Sequence, residues 1–386
     1  MFLKILLGAA FSGSLHLYVW WRLVKSSHLP RRWHLALSIT MLVMWLSIPI
    51  TTTGRLWSPA LASALSWISM PWMALVGILF VVSVAIHVSR GLAWASRRAL
   101  RRDAEAVSMS RRTFLARVTS GAAVTVAGAS VARGMTQARG AHEVVTVEFT
   151  LPRLPKALDG FSIVQLSDLH VGLTIDREFV QRVVDQTNAL SPDLIALTGD
   201  LVDGPVADLA HDIAPLGSLR AKHGVYAVTG NHEYYAGADA WITAITNLNV
   251  RYLRNQLVTI GDGAAAFDLA GVDDHGARGY RGHGEDLRAA TAARDPGRAL
   301  VLLAHQPRQV RRAAKHGVDL QLSGHTHGGQ IWPWHYIVRV QQGGLLAGRY
   351  THEGTQLYVT RGCGYWGPPV RLLAPLEITR VVLRSA

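Results

Sequence analysis

Five short clusters of oxygen- and nitrogen-bearing side chains punctuate the second half of the chain. They are Asp168-Leu169-His170, Gly199-Asp200-Leu201-Val202-Asp203, Gly230-Asn231-His232-Glu233, His305, and Gly324-His325-Thr326-His327-Gly328-Gly329. Mixed imidazole, carboxylate and amide groups suit manganese, iron or zinc better than calcium or a thiolate-bound metal. Asp168 and His170 are two apart, so an extended segment points them the same way, and the same holds for His325 and His327. Each pair can grip one ion. A glycine precedes Asp200, Asn231 and His325, which allows sharp turns and close backbone approach. The candidate groups are too many for one tetrahedral ion. Two ions sharing a carboxylate fit the count, and such pairs, about 3.5–4 Å apart, clamp the attacking and departing oxygens of phosphoryl transfer. Any one cluster alone reads as a turn or a glycine-rich loop. Their occurrence in order, each after an apolar run, points to a site.

The elements that must position these groups are read from hydrophobic patterning. Strands are expected over Val144–Thr150, Ser162–Leu166, Leu194–Leu197, Val225–Val228, Ala266–Ala270, Ala299–Leu303, Asp319–Leu322, Gln356–Val359 and Glu377–Leu383. Helices are expected over Arg177–Leu190, Val206–Leu216, Asp239–Leu248 and Gln309–Lys315. This alternation argues for a layered α/β domain with strands in its core. The β-like pieces after Gln256 suggest a second sheet. The polar, glycine-rich stretch Asp273–Pro296 reads as a surface insertion. In an α/β sheet, residues just past the carboxyl ends of strands converge on one crevice, and the clusters sit there.

The order Asp-x-His, Gly-Asp-x-x-Asp, Gly-Asn-His-Glu, His, Gly-His-x-His resembles the calcineurin-like metallophosphoesterase superfamily. Within it, the chain is similar to membrane-associated or twin-arginine-exported bacterial phosphoesterases. The tail Arg361-Gly362-Cys363-Gly364-Tyr365-Trp366-Gly367-Pro368-Pro369-Val370-Arg371, with Pro375-Leu376-Glu377 after it, resembles that subgroup too. The likeness covers roughly residues 144–386. It implies a four-layer α/β/β/α sandwich and two divalent ions (Mn2+, Fe2+ or Zn2+). The first ion would take Asp168, His170 and His327, and the second Asn231, His305 and His325, with Asp200 bridging both. His232 would be the outer histidine facing the phosphate, and Asp203 would support rather than ligate; His232, if protonated, would assist the leaving alkoxide as general acid or stabilise developing charge. His305 is followed by Gln306-Pro307 where related proteins often carry Asn before the proline, which leaves the ligand intact. Two dications neutralise an anionic ester and lower the pKa of a bound water, so a bridging hydroxide would attack phosphorus in line.

The first third is of another kind. Three windows without Asp, Glu, Lys or Arg, Ile5–Trp21, Trp33–Gly54 and Leu56–Ser89, approach or exceed the roughly 20 residues that cross a bilayer. Tryptophans 20, 21, 33, 57, 67 and 72 lie near their ends, where indoles favour the headgroup zone. Arg22, Lys25, Arg31 and Arg32 come after the first window, Arg55 alone after the second, and Arg90, Arg97, Arg98, Arg101, Arg102, Arg111 and Arg112 after the third. Cytoplasmic first and third connections are expected from this bias. A fourth apolar segment, Val118–Ala132, is short for a span and typical of a signal core. Ser110-Arg111-Arg112-Thr113-Phe114-Leu115 before it resembles the twin-arginine export signature. Whether signal or fourth helix, it leaves everything after residue 133 outside the cytoplasm. The expected organisation is a membrane domain over 1–110, the signal or fourth helix with a linker over 111–142, and the phosphoesterase domain over 143–386.

Net charge is +13, but residues 1–140 hold 16 Lys/Arg and only Asp103 and Glu105 as acids. The remainder is nearly neutral, which argues against nucleic acid as its partner. The single cysteine, Cys363, rules out a disulfide framework and a cysteine-rich metal site. Together these features imply a multi-pass protein of the inner or plasma membrane with an extracytoplasmic catalytic domain. It would hydrolyse a phosphodiester or pyrophosphate bond, with membrane lipids as partners and a lipid-linked or cell-envelope substrate. Trp332, Trp334, Tyr336, Tyr365 and Trp366 flank the last motifs and are candidates to meet lipid. The alternatives are a phosphomonoester or nucleotide phosphatase, and a noncatalytic membrane sensor.

Overall fold

The computed structural model describes residues 2–54, 56–100 and 109–386. Arg55, and Arg101, Arg102, Asp103 and Glu105 in the segment 101–108, lie outside the described residues. The N-terminal unit consists of helices α1 (Phe2–Leu23), α2 (Arg31–Gly54), α3 (Pro59–Ala99) and α4 (Met109–Arg139). Among the described residues three stretches are long and apolar enough to cross a membrane: Arg31–Gly54, Pro59–Ala99 and Thr113–Arg139. The fourth apolar segment is therefore not confined to its 15-residue apolar core. Flanking residues of good helix propensity extend it to 31 residues of continuous helix. Two polar pairs join helices inside this unit: Ser69 Oγ donates to Thr51 Oγ1 at 2.9 Å, and Trp20 Nε1 to Ser38 Oγ at 2.8 Å.

The α/β unit begins near Gln137. Its strands are β1 (Glu143–Leu151), β2 (Ser162–Leu166), β3 (Leu194–Leu197), β4 (Val225–Ala227), β5 (Val250–Tyr252), β6 (Gln256–Asp262), β7 (Ala265–Gly271), β8 (Leu300–Leu303), β9 (Leu320–Ser323), β10 (Gly348–His352), β11 (Thr355–Val359) and β12 (Glu377–Ser385). They form two six-stranded sheets, ordered β1-β12-β2-β3-β4-β5 and β10-β11-β9-β8-β7-β6. Helices α5 (Arg177–Ala189), α6 (Val206–Ile213), α7 (Asn231–Ala236) and α8 (Ala238–Thr246) come after strands of the first sheet. The short helices α9 (Leu287–Thr291), α10 (Val310–Ala313) and α11 (His335–Gln341) belong to the second half.

The period-two alternation of each strand sorts side chains between cores. Ile163, Leu194 and Ala196 of the first sheet meet Phe267, Leu269, Val301, Leu303, Leu320 and Leu322 of the second in one buried cluster. Their neighbours Val164, Leu166, Ile195 and Leu197 face the other way, onto Phe179, Val183, Leu209 and Trp241 of the helices. Ala270, Leu300 and Leu302 pack outward against Leu287, Ala290 and Ala313. The expected four-layer α/β/β/α sandwich is what results.

Asp273–Pro296 is not a simple surface insertion. Asp273 and Asp274 are buried, Arg254 donates to both carboxylate oxygens of Asp273 at 3.0 and 2.9 Å, and Leu287 and Ala290 close the outer face of the second sheet. Its polarity misleads because two of its carboxylates are paired inside.

Trp241 is fully buried and its indole N–H donates to Gly204 O at 2.8 Å, tying α8 to the loop that carries Asp203. Trp241→Ala is expected to cost about 3–5 kcal/mol, the usual range for emptying a buried tryptophan site. Urea unfolding followed by far-UV circular dichroism checks this; a midpoint within error of wild type would refute it.

Candidate metal centre

All five clusters lie just past strand carboxyl ends: Asp168 and His170 after β2, Asp200 and Asp203 after β3, Asn231 and His232 after β4, His305 after β8, and His325 and His327 after β9. The loops are stitched together by their own polar groups. Asp168 N donates to Gly199 O at 3.0 Å and His170 N to Asp200 O at 3.1 Å. The Asp168 carboxylate accepts from His325 N at 2.9 and 3.0 Å. Asp200 Oδ1 accepts from His232 N at 2.8 Å, and His305 Nδ1 donates to Thr198 O at 2.8 Å.

The Asp-x-His and His-x-His pairs converge, but not by extended backbone. Asp168, His170, Asp200, His325 and His327 have φ of 57°, 52°, 53°, 73° and 52°. Left-handed backbone is uncommon for non-glycine residues, costs on the order of 1–3 kcal/mol each, and concentrates at functional sites. The adjacent glycines make room. Gly199 has φ 89°, and a Cβ on it would stand 2.5 Å from Gly230 N. A Cβ on Gly230 would run into the Asp200 carboxylate.

Among the described residues three groups bring ligating atoms within 4.8 Å of one another: Asp168, His170 and His327; His170, Asp200 and His232; and Asp200, His305 and His325. His170 Nε2 faces His327 Nε2 at 3.0 Å, and His305 Nε2 lies 3.1 Å from both Asp200 Oδ2 and His325 Nδ1. Asp203 Oδ1 accepts from His170 Nδ1 at 2.8 Å and from His232 Nδ1 at 2.7 Å. That fixes both tautomers and leaves both Nε2 atoms to face the centre, the supporting part expected of Asp203.

The residues fit a metal. Asn231 Oδ1 is buried without a hydrogen-bond partner, at the position where an amide ligand is expected. A buried polar oxygen with no partner is costly, and a bound cation would satisfy it. Cys363 offers no thiolate: it is buried, burial pushes it up to about 12, and its Sγ donates to Ser167 O at 3.1 Å.

Charge is finely divided. Burial opposes ionisation of Asp200, but the imidazoles of His305, His232 and His170 hold it well below the usual carboxylate range. Burial pushes Asp168 up, with the Asp200 charge adding to the effect. Burial would lower His170, but Asp203, Asp200 and Asp168 raise it to about 9. Burial and the His305 charge push His325 down to about 3.

Two supporting residues carry no role in the sequence reading. The buried Glu233 carboxylate accepts from Gly230 N at 2.6 Å, Asp200 N at 3.0 Å and Leu201 N at 2.6 Å, joining the second and third loops. The signal is present in the chain: a carboxylate three residues after an N-cap reaches back to the cap N–H. Arg371 is fully buried and donates to the carbonyls of His327 (3.2 Å), Arg361 (2.8 Å), Gly364 (2.9 Å) and Ala374 (3.1 Å). Its Nη2 also lies 3.1 Å from His327 Nδ1, a ring of the centre itself, but its other partners are backbone carbonyls, which no residue pattern announces. Among the aromatics, Tyr365 is core, with its hydroxyl donating to Thr174 O at 2.9 Å, and Trp334 is half-buried. Trp332, Tyr336 and Trp366 are exposed, and the Trp366 ring stands edge-on to His232 at 5.7 Å.

Arg371→Ala is expected to destabilise by at least about 3 kcal/mol, because each buried carbonyl left unpaired costs about 1–3 kcal/mol. Arg371→Lys, which keeps the charge but not the fork of donors, should fall between. Urea midpoints decide; an alanine variant as stable as wild type would exclude the role.

Residues 161–329 match the family model for calcineurin-like phosphoesterases, a span that contains all five clusters. A Helicobacter pylori protein named uncharacterized metallophosphoesterase is 38% identical over 248 residues, covering 64% of this chain and 65% of that one. The chain thus spans slightly less than two thirds of that relative. A Danio rerio protein named transmembrane protein with metallophosphoesterase domain is 34% identical over 333 residues, covering 83% of this chain and 74% of its own. A Bacillus subtilis protein named uncharacterized metallophosphoesterase YkuE is 33% identical over 290 residues, covering 72% of this chain and 98% of its own. With the motifs in order inside the matched span, and relatives 34% and 33% identical over 83% and 72% of its length, the chain belongs to the calcineurin-like metallophosphoesterases.

Proposed function

We propose that the chain is a membrane-tethered, metal-dependent phosphoesterase that hydrolyses a phosphodiester or pyrophosphate bond in a lipid-linked or cell-envelope substrate. Asp168, His170 and His327 would hold one divalent cation and Asn231, His305 and His325 a second, with Asp200 shared between them. The observation that carries this reading is that Asp168, His170 and His327, and likewise Asp200, His305 and His325, bring their ligating atoms within 4.8 Å of one another. The partnerless Asn231 Oδ1 supports it.

Bound cations of this kind supply positive charge at phosphate oxygens and make a water acidic enough to act as nucleophile. The chain's own residues do the rest. Glu233 and Arg371 hold the loops, and Asp203 keeps a proton on Nδ1 of His232. Nε2 of His232 is then the atom placed to hand a proton to the departing oxygen. A water oxygen becomes bonded to phosphorus as the bond to that departing oxygen breaks. The exposed Trp366 beside His232 supports a leaving group with apolar substance. Helices apolar enough to cross a bilayer support a substrate held at its surface. The clustering of Arg22, Lys25, Arg31 and Arg32, and of Arg90, Arg97 and Arg98, supports an extracytoplasmic catalytic domain. Helix α4 serves either as a fourth span or as an export signal in this scheme.

Asp200→Asn is expected to lose metal, read by elemental analysis, and to lower turnover of bis-p-nitrophenyl phosphate by about 10³-fold or more, in keeping with loss of a preorganised charge. A variant with full metal content and wild-type turnover would sink the assignment. His232→Ala should lower kcat by about 10²–10⁴-fold, the usual worth of a general acid, while keeping its metal. Loss of metal in that variant would place His232 among the ligands. Comparison with p-nitrophenyl phosphate separates diester from monoester preference.

His170 sets a pH dependence. Its folded-state pKa, about 9, lies above the ordinary histidine value of 6.5. In the metal-free protein the charged form therefore stabilises the fold fully below pH 6.5, and that contribution fades as pH rises through 9. Ligation needs the neutral ring, so metal binding expels a proton and tightens with rising pH. Calorimetric titration with Mn2+ in buffers of different ionisation enthalpy should show proton release and stronger binding at about pH 8.5 than at about 6.5. Affinity independent of pH over that window would count against His170 as a ligand.

A further inference from the structure

Arg308 has an arrangement unlike that of the paired surface arginines. It is exposed on the turn Pro307–Gln309, three residues after His305. Its Nε and Nη2 both donate to Gln306 Oε1, at 2.8 and 2.6 Å. Nη1 makes no bond among the described residues.

The anchor is itself built from buried groups. Gln306 is 3% exposed and its Nε2 donates to both oxygens of Asp274, at 2.9 and 3.2 Å. Asp274 is fully buried, held by Gly276 N on Oδ2 at 2.6 Å and, through its own N–H, by Thr229 Oγ1 at 3.1 Å. Gln306 N donates to Gln309 Oε1 at 2.9 Å, closing the turn. The partner of Arg308 is thus a neutral amide, so the side chain is oriented without being neutralised, and the amide belongs to the residue next to the candidate ligand His305. An exposed, oriented, uncompensated guanidinium beside a phosphoesterase centre suits an oxyanion, because its planar fork matches phosphate oxygens.

We propose that Arg308 binds a second phosphoryl group of the substrate, the one not attacked, and so favours pyrophosphate diesters over esters with a single phosphorus. This rests on the phosphoesterase reading above and narrows its substrate class. Gln306 and Asp274 are then positioning residues, acting through Arg308.

The test uses the full chain in detergent, loaded with Mn2+. Two substrates are compared: UDP-N-acetylglucosamine, which carries a P–O–P linkage, and bis-p-nitrophenyl phosphate, which does not. For wild type, the pyrophosphate diester is expected to be hydrolysed, or to inhibit turnover of the other competitively, and to raise the thermal unfolding midpoint. Arg308→Ala should lower the ratio of kcat/KM for the two substrates, or raise the inhibition constant, by about ten- to hundredfold, as expected for loss of charged hydrogen bonds. The change should lie in KM rather than kcat, and the ligand-induced thermal shift should vanish. Arg308→Lys should recover part of the effect, and Gln306→Leu should show a smaller loss in the same direction. Equal losses on both substrates in Arg308→Ala would overturn the proposal. So would a wild type that cleaves bis-p-nitrophenyl phosphate but neither cleaves nor is inhibited by the pyrophosphate diester, an outcome that leaves the phosphoesterase reading standing. A wild type inactive on every ester would instead sink that reading, and this proposal with it.

Discussion

The structure turns on one buried carboxylate. Asp200 is 2% exposed, and ionising it there is tolerable only because imidazoles and backbone N–H groups converge on it. Its Oδ1 takes the His232 N–H, its Oδ2 faces His305 Nε2, and its own N–H is held by Glu233. These partners come from loops after strands of both sheets. The two sheets stack so that the loops after β2, β3, β4, β8 and β9 end at the same place. Without the interior packing of Phe267, Leu269, Leu303 and Leu322 on Ile163 and Leu194, those loops would have no common vertex.

Positive and negative groups are interleaved rather than paired off. Asp203 Oδ1 serves two histidines, and Arg371 serves carbonyls of three segments and the ring of His327. His232 and Arg308 are both held by other side chains, through Asp203 in one case and Gln306 in the other. The resulting edge is polar and preorganised, while Trp366 and Trp332 beside it stay open to solvent.

Much of this is legible in the residues. Strands β2 and β3 can be read to the residue because both are buried on both faces and form largely apolar runs. Strands β5, β6 and β10 escape for the opposite reason: Val250–Tyr252 is three residues long, and Gln256–Asp262 and Gly348–His352 put polar side chains on their open faces. Helix α7 is hidden inside Gly-Asn-His-Glu, which reads as a turn. The clusters themselves stand out because their side-chain types are rare in sequence. Their pointing directions do not, since an Asp-x-His triplet read as extended chain is in fact left-handed at both ends. Glu233 and Arg371 escape assignment because what they bind is mostly main chain.

The left-handed backbone at Asp168, His170, Asp200, His325 and His327 makes the centre a property of the loops as much as of the side chains. Copying the same letters onto another scaffold would transplant the chemistry without its aim. A recipient loop lacking room at the positions of Gly199 and Gly230 would relax to ordinary dihedrals and splay the ligands. The motif is therefore heritable as a unit but poorly portable, and engineering that tolerates changes elsewhere in this domain will find little slack in those few torsion angles.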